Sequence, residues 1–208
     1  MGDAAGVRTP YTRRGRMISA GTTPASTWNV ANLITIARIL LVPLFVWLLF
    51  ADGQEGGPLR WLATLLFVGA IATDSVDGHL ARGRNLVTDL GKLLDPIADK
   101  ALTGAAFVVL SVLGELPWWV TIVILVREIG ITVFRFSVLR DRVIPASRGG
   151  KTKTVVQAVA ISFALAPLPA LLGGWMDGVN TALMGAALVL TVVTGIDYLV
   201  DAYRKNRA

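Results

Sequence analysis

Four aspartates, Asp74, Asp77, Asp95 and Asp99, sit inside or at the edge of long apolar stretches. Ionisable groups in apolar helices are costly, and they mark a functional site by default. Asp74 and Asp77 are spaced i,i+3, and Asp95 and Asp99 i,i+4, so each pair shares one helix face. A short polar connection separates the two stretches. It predicts antiparallel neighbours whose four carboxylates converge. Four like charges in a low dielectric cannot stay ionised without counter-cations. Ligands that offer only oxygen suit a hard Mg²⁺ or Mn²⁺ ion. Two such divalent ions suit displacement at phosphorus.

Small residues surround these carboxylates. Gly78 follows Asp77 directly and lets a bulky ligand approach the helix backbone. Ala81 and Gly91 serve the same end, and Arg82 suits a phosphate. Two plainer readings exist for the carboxylates. They could line the cation path of a transporter, or form a structural cluster with Arg and Lys. Neither needs the fixed Gly and Ala-Arg spacing. His79 falls between these positions and reads as a spectator.

The composition says what kind of element positions them. Of 208 residues, 54% are hydrophobic and 16% charged; a soluble domain carries about 25% charged residues. Mean hydropathy is +0.63. Net charge is +6 and the pI is about 10.2. The basic residues lie beside apolar blocks, which points to an anionic membrane or substrate and away from nucleic acid. There is no cysteine and a single histidine, which excludes thiol nucleophiles, zinc-thiolate sites and a histidine metal cluster.

Six apolar segments of spanning length are predicted, over about 28–50, 59–81, 90–113, 117–139, 154–172 and 179–202. The expected fold is all-α, an integral membrane bundle of six transmembrane helices. Residues 1–26 read as a flexible basic cytoplasmic tail with no signal-peptide pattern, and 27–208 as the membrane domain. The first connection carries Asp52 and Glu55, the third Glu115 and the fifth Asp177. The even connections and the C-terminus are rich in Lys and Arg, such as Arg82, Arg84, Arg140, Arg142 and Arg204. That alternation predicts both termini, and the aspartates, on the cytoplasmic side. Trp118, Trp119 and Trp175 read as an aromatic belt at the far interface.

The pattern Asp-x2-Asp-Gly-x2-Ala-Arg-x8-Gly-x3-Asp-x3-Asp, at Asp74, Asp77, Gly78, Ala81, Arg82, Gly91, Asp95 and Asp99, resembles the CDP-alcohol phosphotransferase signature at all eight specified positions. The resemblance covers about residues 28–203 and implies that family's six-helix fold. It implies that Asp74, Asp77 and Asp95 bind a pair of divalent cations, with Asp99 at the metals and acting as general base. It implies that CDP-diacylglycerol lies against Gly78, Arg82, Thr88, Asn32 and Thr35. A homodimer in the cell membrane is implied likewise.

Further stretches resemble the branch of that family whose acceptor is sn-glycerol 3-phosphate. They are Asn32 to Arg38 with Pro43, Gly91 to Lys100, Arg127-Glu128-Ile129, and Gly150 to Thr154 with Gln157. Val143 to Ser147 resembles the actinobacterial form of the branch. Other acceptors in the family are phosphatidylglycerol and inositol phosphate. An anionic acceptor has physical support. Arg127 lies within an apolar helix, and Lys151 and Lys153 lie at the start of the next. A phosphate between them would neutralise half-buried cations. Arg127 could instead pair with Glu128, and Lys151 and Lys153 could be interface anchors.

Overall fold

The computed structural model describes residues 30–82, 89–138 and 148–207, and these are helices joined by short turns. The helices are α1 (Val30–Asp52), α2 (Pro58–Arg82), α3 (Asp89–Val112), α4 (Trp118–Val138), α5 (Arg148–Leu165), α6 (Leu168–Leu172) and α7 (Trp175–Arg207). No strand occurs among the described residues. The first four agree with the expected apolar segments to within two residues at each end.

The fifth segment departs from expectation. Its helix begins at Arg148, ends at Leu165, and resumes only as the short α6. The cause is Pro167, which has no N–H to donate and disfavours helical geometry at Ala166. The last helix is longer than expected, at 33 residues, which is about 50 Å at 1.5 Å per residue. Two helices, through Thr35–Asp52 and Trp175–Arg204, are long and apolar enough by themselves to cross a bilayer.

One continuous apolar core joins the helices. Phe45, Leu48 and Leu49 of α1 meet Ala63 and Phe67 of α2 and Leu102, Ala106, Phe107 and Leu110 of α3. Ile124 of α4, Ile161 and Leu165 of α5, and Met184 and Ala187 of α7 complete it. The Phe45 and Phe67 rings lie 5.9 Å apart and tilted, within the range of favourable aromatic pairs. Small residues face large ones across the seams, so the helices approach closely. The outward faces are also apolar. Leu40, Trp47, Leu65, Val126, Val133, Val155 and Val189 are all more than half exposed. An apolar exterior of this extent suits lipid as the surrounding phase.

The turns after α1 and α3 and the break after α5 gather at one end of the bundle. Asp52 caps α2, accepting from the backbone N–H groups of Gly56, Gly57 and Arg60 at 3.1, 3.0 and 3.2 Å. Gln54 reaches the carbonyl of Leu113. Arg60 is 5% exposed. It pairs with Glu115 and donates from Nε to the Leu165 carbonyl at 2.7 Å, satisfying an acceptor at the end of α5. Gly56 adopts φ +66°, and a Cβ there would stand 3.1 Å from the Pro167 side chain. Trp118, Trp119 and Trp175, all exposed, start the helices that leave this end.

Candidate active site

Asp74, Asp77, Gly78 and Arg82 lie in the last turns of α2, and Asp95 and Asp99 in the first three turns of α3. Both stretches are continuous helix, so the i,i+3 and i,i+4 spacings place each carboxylate pair on one helix face. Their side chains lie outside the described residues, as does that of Asn32 in α1. Thr88, in the connection between α2 and α3, lies wholly outside them. Among the described residues no three His, Asp or Glu groups come together. The donor chemistry of the motif pairs, carboxylate oxygens alone, fits a hard divalent cation. The helices carrying the motif share packing partners, because α1 and α5 each contact both α2 and α3. On α1, Thr35 and Arg38 are one turn apart and buried, at 4% and 8% exposed.

A second cluster of charge lies about midway along the bundle, and it is fully described. Glu128 of α4 is its centre. It accepts from Lys100 Nζ of α3 at 2.7 Å, from Arg127 Nη1 at 2.9 Å, and from Lys153 Nζ of α5. Arg127 also donates from Nη2 to Thr194 of α7 at 2.9 Å. Its Nε is buried, with no hydrogen-bond partner among the described residues. Four helices therefore contribute to one polar knot inside an apolar bundle. Charged groups taken from water need such partners, since removing one leaves an uncompensated buried charge. Gly195 makes room for the guanidinium. A Cβ at Gly195 would stand 3.1 Å from Arg127 Cγ and 3.2 Å from Nε. Beside the knot, Gln157 donates to Thr191 at 2.7 Å and ties α5 to α7.

The structure thus brings Arg127 and Lys153 together and seats both against Glu128. It does not bring Lys151 to them. Lys151 is exposed, and Lys153 is 4% exposed. Residues two apart on a helix point to different sides, so the two lysines cannot share one contact face. Glu128 joins the cluster as the partner the sequence allowed for Arg127, and Lys100 joins it without having been singled out as a site residue from sequence. Lys100 is an ionisable residue within an apolar helix, and that signal would have found it.

This arrangement can hold an anion. Three cations meet one carboxylate. The chain matches the CDP-alcohol phosphatidyltransferase family over residues 28–193. It is 48% identical over 176 residues to a probable phosphatidylglycerophosphate synthase of Mycobacterium tuberculosis, covering 85% of this chain and 82% of that one. It is 41% identical over 145 residues to the CDP-diacylglycerol–glycerol-3-phosphate 3-phosphatidyltransferase of Bacillus subtilis, covering 65% and 75%. The Rickettsia typhi protein of the same name is 36% identical over 171 residues, covering 82% and 94%. The aspartate motif in α2 and α3, the all-helical bundle around it and this match over most of the length lead to one assignment: the chain is an enzyme of the CDP-alcohol phosphatidyltransferase family.

Proposed function

We propose that the enzyme transfers the phosphatidyl group of CDP-diacylglycerol to sn-glycerol 3-phosphate, giving phosphatidylglycerophosphate and CMP. The observation that supports this acceptor is the knot of Lys100, Arg127 and Lys153 around Glu128, cationic in excess and held between helices in a largely apolar bundle. The names of the relatives agree with it. In this reading six helices, α1 to α5 and α7, cross the bilayer, both termini are cytoplasmic, and residues 1–26 form a basic tail outside the membrane domain. The pairing of the odd turns at one end supports that layout, since it leaves the motif at the opposite end.

The residues that would hold divalent metal are Asp74, Asp77, Asp95 and Asp99, and the ions would supply charge neutralisation at the donor diphosphate. Gly78 leaves space beside α2 for the cytidine group, and Arg82 faces its phosphates. Asn32, Thr35 and Thr88 complete the donor contacts. Asp99 takes the proton of the acceptor hydroxyl. The freed oxygen attacks the β-phosphorus, a new P–O bond forms, and the bond to CMP breaks. Arg127 and Lys153 hold the acceptor phosphate and so orient its hydroxyl. Lys151, exposed at the start of α5, attracts the anion from water. A homodimer belongs to the same reading.

The test is CMP release by the purified protein from CDP-diacylglycerol with glycerol 3-phosphate, phosphatidylglycerol or inositol phosphate as acceptor. Release that depends on glycerol 3-phosphate is expected. Release with another acceptor alone would reassign the substrate. No release with any acceptor would refute the transferase reading.

A further inference from the structure

Lys153 is a buried ammonium, and its described charge partner is Glu128. A lone ammonium at that depth would either lose its proton or swing to water. The same carboxylate receives Arg127 through Oε1 and Lys100 through Oε2. Three cations drawn from α3, α4 and α5 would repel one another at such distances. The shared carboxylate holds them at a single point.

We infer that Glu128 is a positioning residue of the acceptor pocket: it fixes Lys153 and Arg127 in place before substrate arrives, and it sets the charge that the pocket presents. This rests on the proposed role of Arg127 and Lys153 toward the acceptor phosphate. Two observations carry it beyond that role. The first is the charge balance. Lys100, Arg127 and Lys153 against Glu128 leave two positive charges uncompensated within the cluster. A phosphate monoester carries about −1.5 to −2 at neutral pH, so it matches that excess. A phosphodiester, with a single negative charge, or a neutral polyol does not. The second is how firmly Arg127 is held. Glu128 engages Nη1 of Arg127 and Thr194 engages Nη2, while the buried Nε has no partner among the described residues. The guanidinium is held from two sides, and its Nε is packed against α7 at Gly195. Glu128 touches no reacting atom in this scheme. It acts through Lys153 and Arg127.

A double-mutant cycle tests this with glycerol 3-phosphate and CDP-diacylglycerol both varied. Lys153→Ala is expected to raise the glycerol 3-phosphate KM about tenfold or more, the size of one lost charge-assisted contact. Glu128→Gln keeps the side-chain shape, removes the charge, and is expected to do the same. Because Glu128 works through Lys153 as well as Arg127, the combined variant should fall well short of the about hundredfold that independent effects would multiply to, keeping only the part that acts through Arg127. The CDP-diacylglycerol KM should stay within about twofold throughout, which a merely structural fault would not allow. Glu128→Asp, which keeps the charge but withdraws it by one methylene, should fall between wild type and Glu128→Gln. It also serves as the test variant if the Gln protein does not accumulate.

An unchanged glycerol 3-phosphate KM in Glu128→Gln (or in Glu128→Asp, where only that variant accumulates), with Lys153→Ala impaired, overturns the role of Glu128 alone. Fully multiplying effects in the combined variant overturn it too, as does an equal rise in the CDP-diacylglycerol KM. An unchanged KM in Lys153→Ala removes the acceptor site itself, and the inference falls with it.

Discussion

Gly195 offers a sharp test of the site, because one added methyl group should impair acceptor use while leaving stability nearly unchanged. In Gly195→Ala the new Cβ would stand 3.1 Å from Cγ of Arg127 and 3.2 Å from its Nε. Carbon atoms pack best at about 3.5–4.0 Å, so the Arg127 side chain must give way by about 0.5 Å. It has little freedom to do so, since Nη1 is held by Glu128 and Nη2 by Thr194, each at 2.9 Å. Moving the guanidinium away from α7 stretches the Thr194 bond to about 3.4 Å, beyond the useful range. Losing one such bond costs about 0.5–1.5 kcal/mol of stability, and a guanidinium displaced from its place should raise the glycerol 3-phosphate KM about twofold or more. The backbone term runs the other way, because Ala in a helix interior is favoured over Gly by about 1 kcal/mol. On stability the two terms roughly cancel, so the variant should melt close to wild type in detergent while using its acceptor less well, with the CDP-diacylglycerol KM unchanged. Thermal unfolding and two-substrate kinetics on one preparation decide it. An unchanged acceptor KM with intact stability would falsify the placement of Arg127 on the acceptor. A lower melting temperature with both KM values raised would show general packing damage instead.

Other outcomes follow from the same geometry. Lys151→Ala should raise the glycerol 3-phosphate KM by only about twofold, because an exposed charge is screened by water and salt, and Lys153→Ala should exceed it clearly in parallel assays. Asp95→Ala should abolish CMP release without loss of folded protein, and excess Mg²⁺ or Mn²⁺ should not rescue it; rescue would remove Asp95 from the ligand set. Arg60→Ala should lower stability by about 1–3 kcal/mol, the scale of lost hydrogen bonds to charged groups, because Glu115 is left at an exposed position, as read by thermal unfolding in detergent, with both KM values of the surviving enzyme unchanged. Since the chain has no cysteine, Glu55→Cys and Arg204→Cys, both at exposed positions, report the sides of the membrane. An impermeant thiol reagent added to intact cells should label the first and spare the second, and the reverse pattern would invert the proposed orientation.

The long helices were legible in sequence because an apolar run bounded by Gly, Asp and Pro has few other solutions in lipid. The break at Pro167 was equally visible as a residue. An unbroken apolar run through 154–172 hid it, since apolar character alone does not say whether a helix is continuous. Arg127 stood out as a cation inside an apolar helix, and the structure seats it in a polar knot. The separation of Lys151 from Lys153 follows from helical periodicity, and only their closeness in sequence made them look like one group. The end cluster was not legible. Arg60, Glu115 and the carbonyls of Ala164 and Leu165 are far apart along the chain, and nothing local in any of them announces the others. Asp52 and Glu115 read as loop charges that set orientation. One of them caps α2 and the other completes Arg60, so a charge can serve topology and packing together.

The unequal lengths of α5 and α7 have a consequence for the lipid around the enzyme. These helices pack against each other, yet α5 has 18 residues and the apolar stretch of α7 has 30. At 1.5 Å per residue that is about 27 Å beside about 45 Å, where a typical hydrocarbon layer is about 30 Å thick. In the proposed layout, where both cross the bilayer, no single bilayer thickness matches both. In a thin membrane α7 must tilt or project, and in a thick one α5 must draw the lipid surface down toward its Pro167 end, each at a fraction of a kcal/mol per Å. Arg127 and Thr194 sit on opposite sides of the seam between α4 and α7, so tilting α7 would slide one past the other. Acyl-chain length would then act on acceptor affinity with no lipid entering the pocket, and a product lipid that thickens or thins its surroundings would alter the enzyme that makes it.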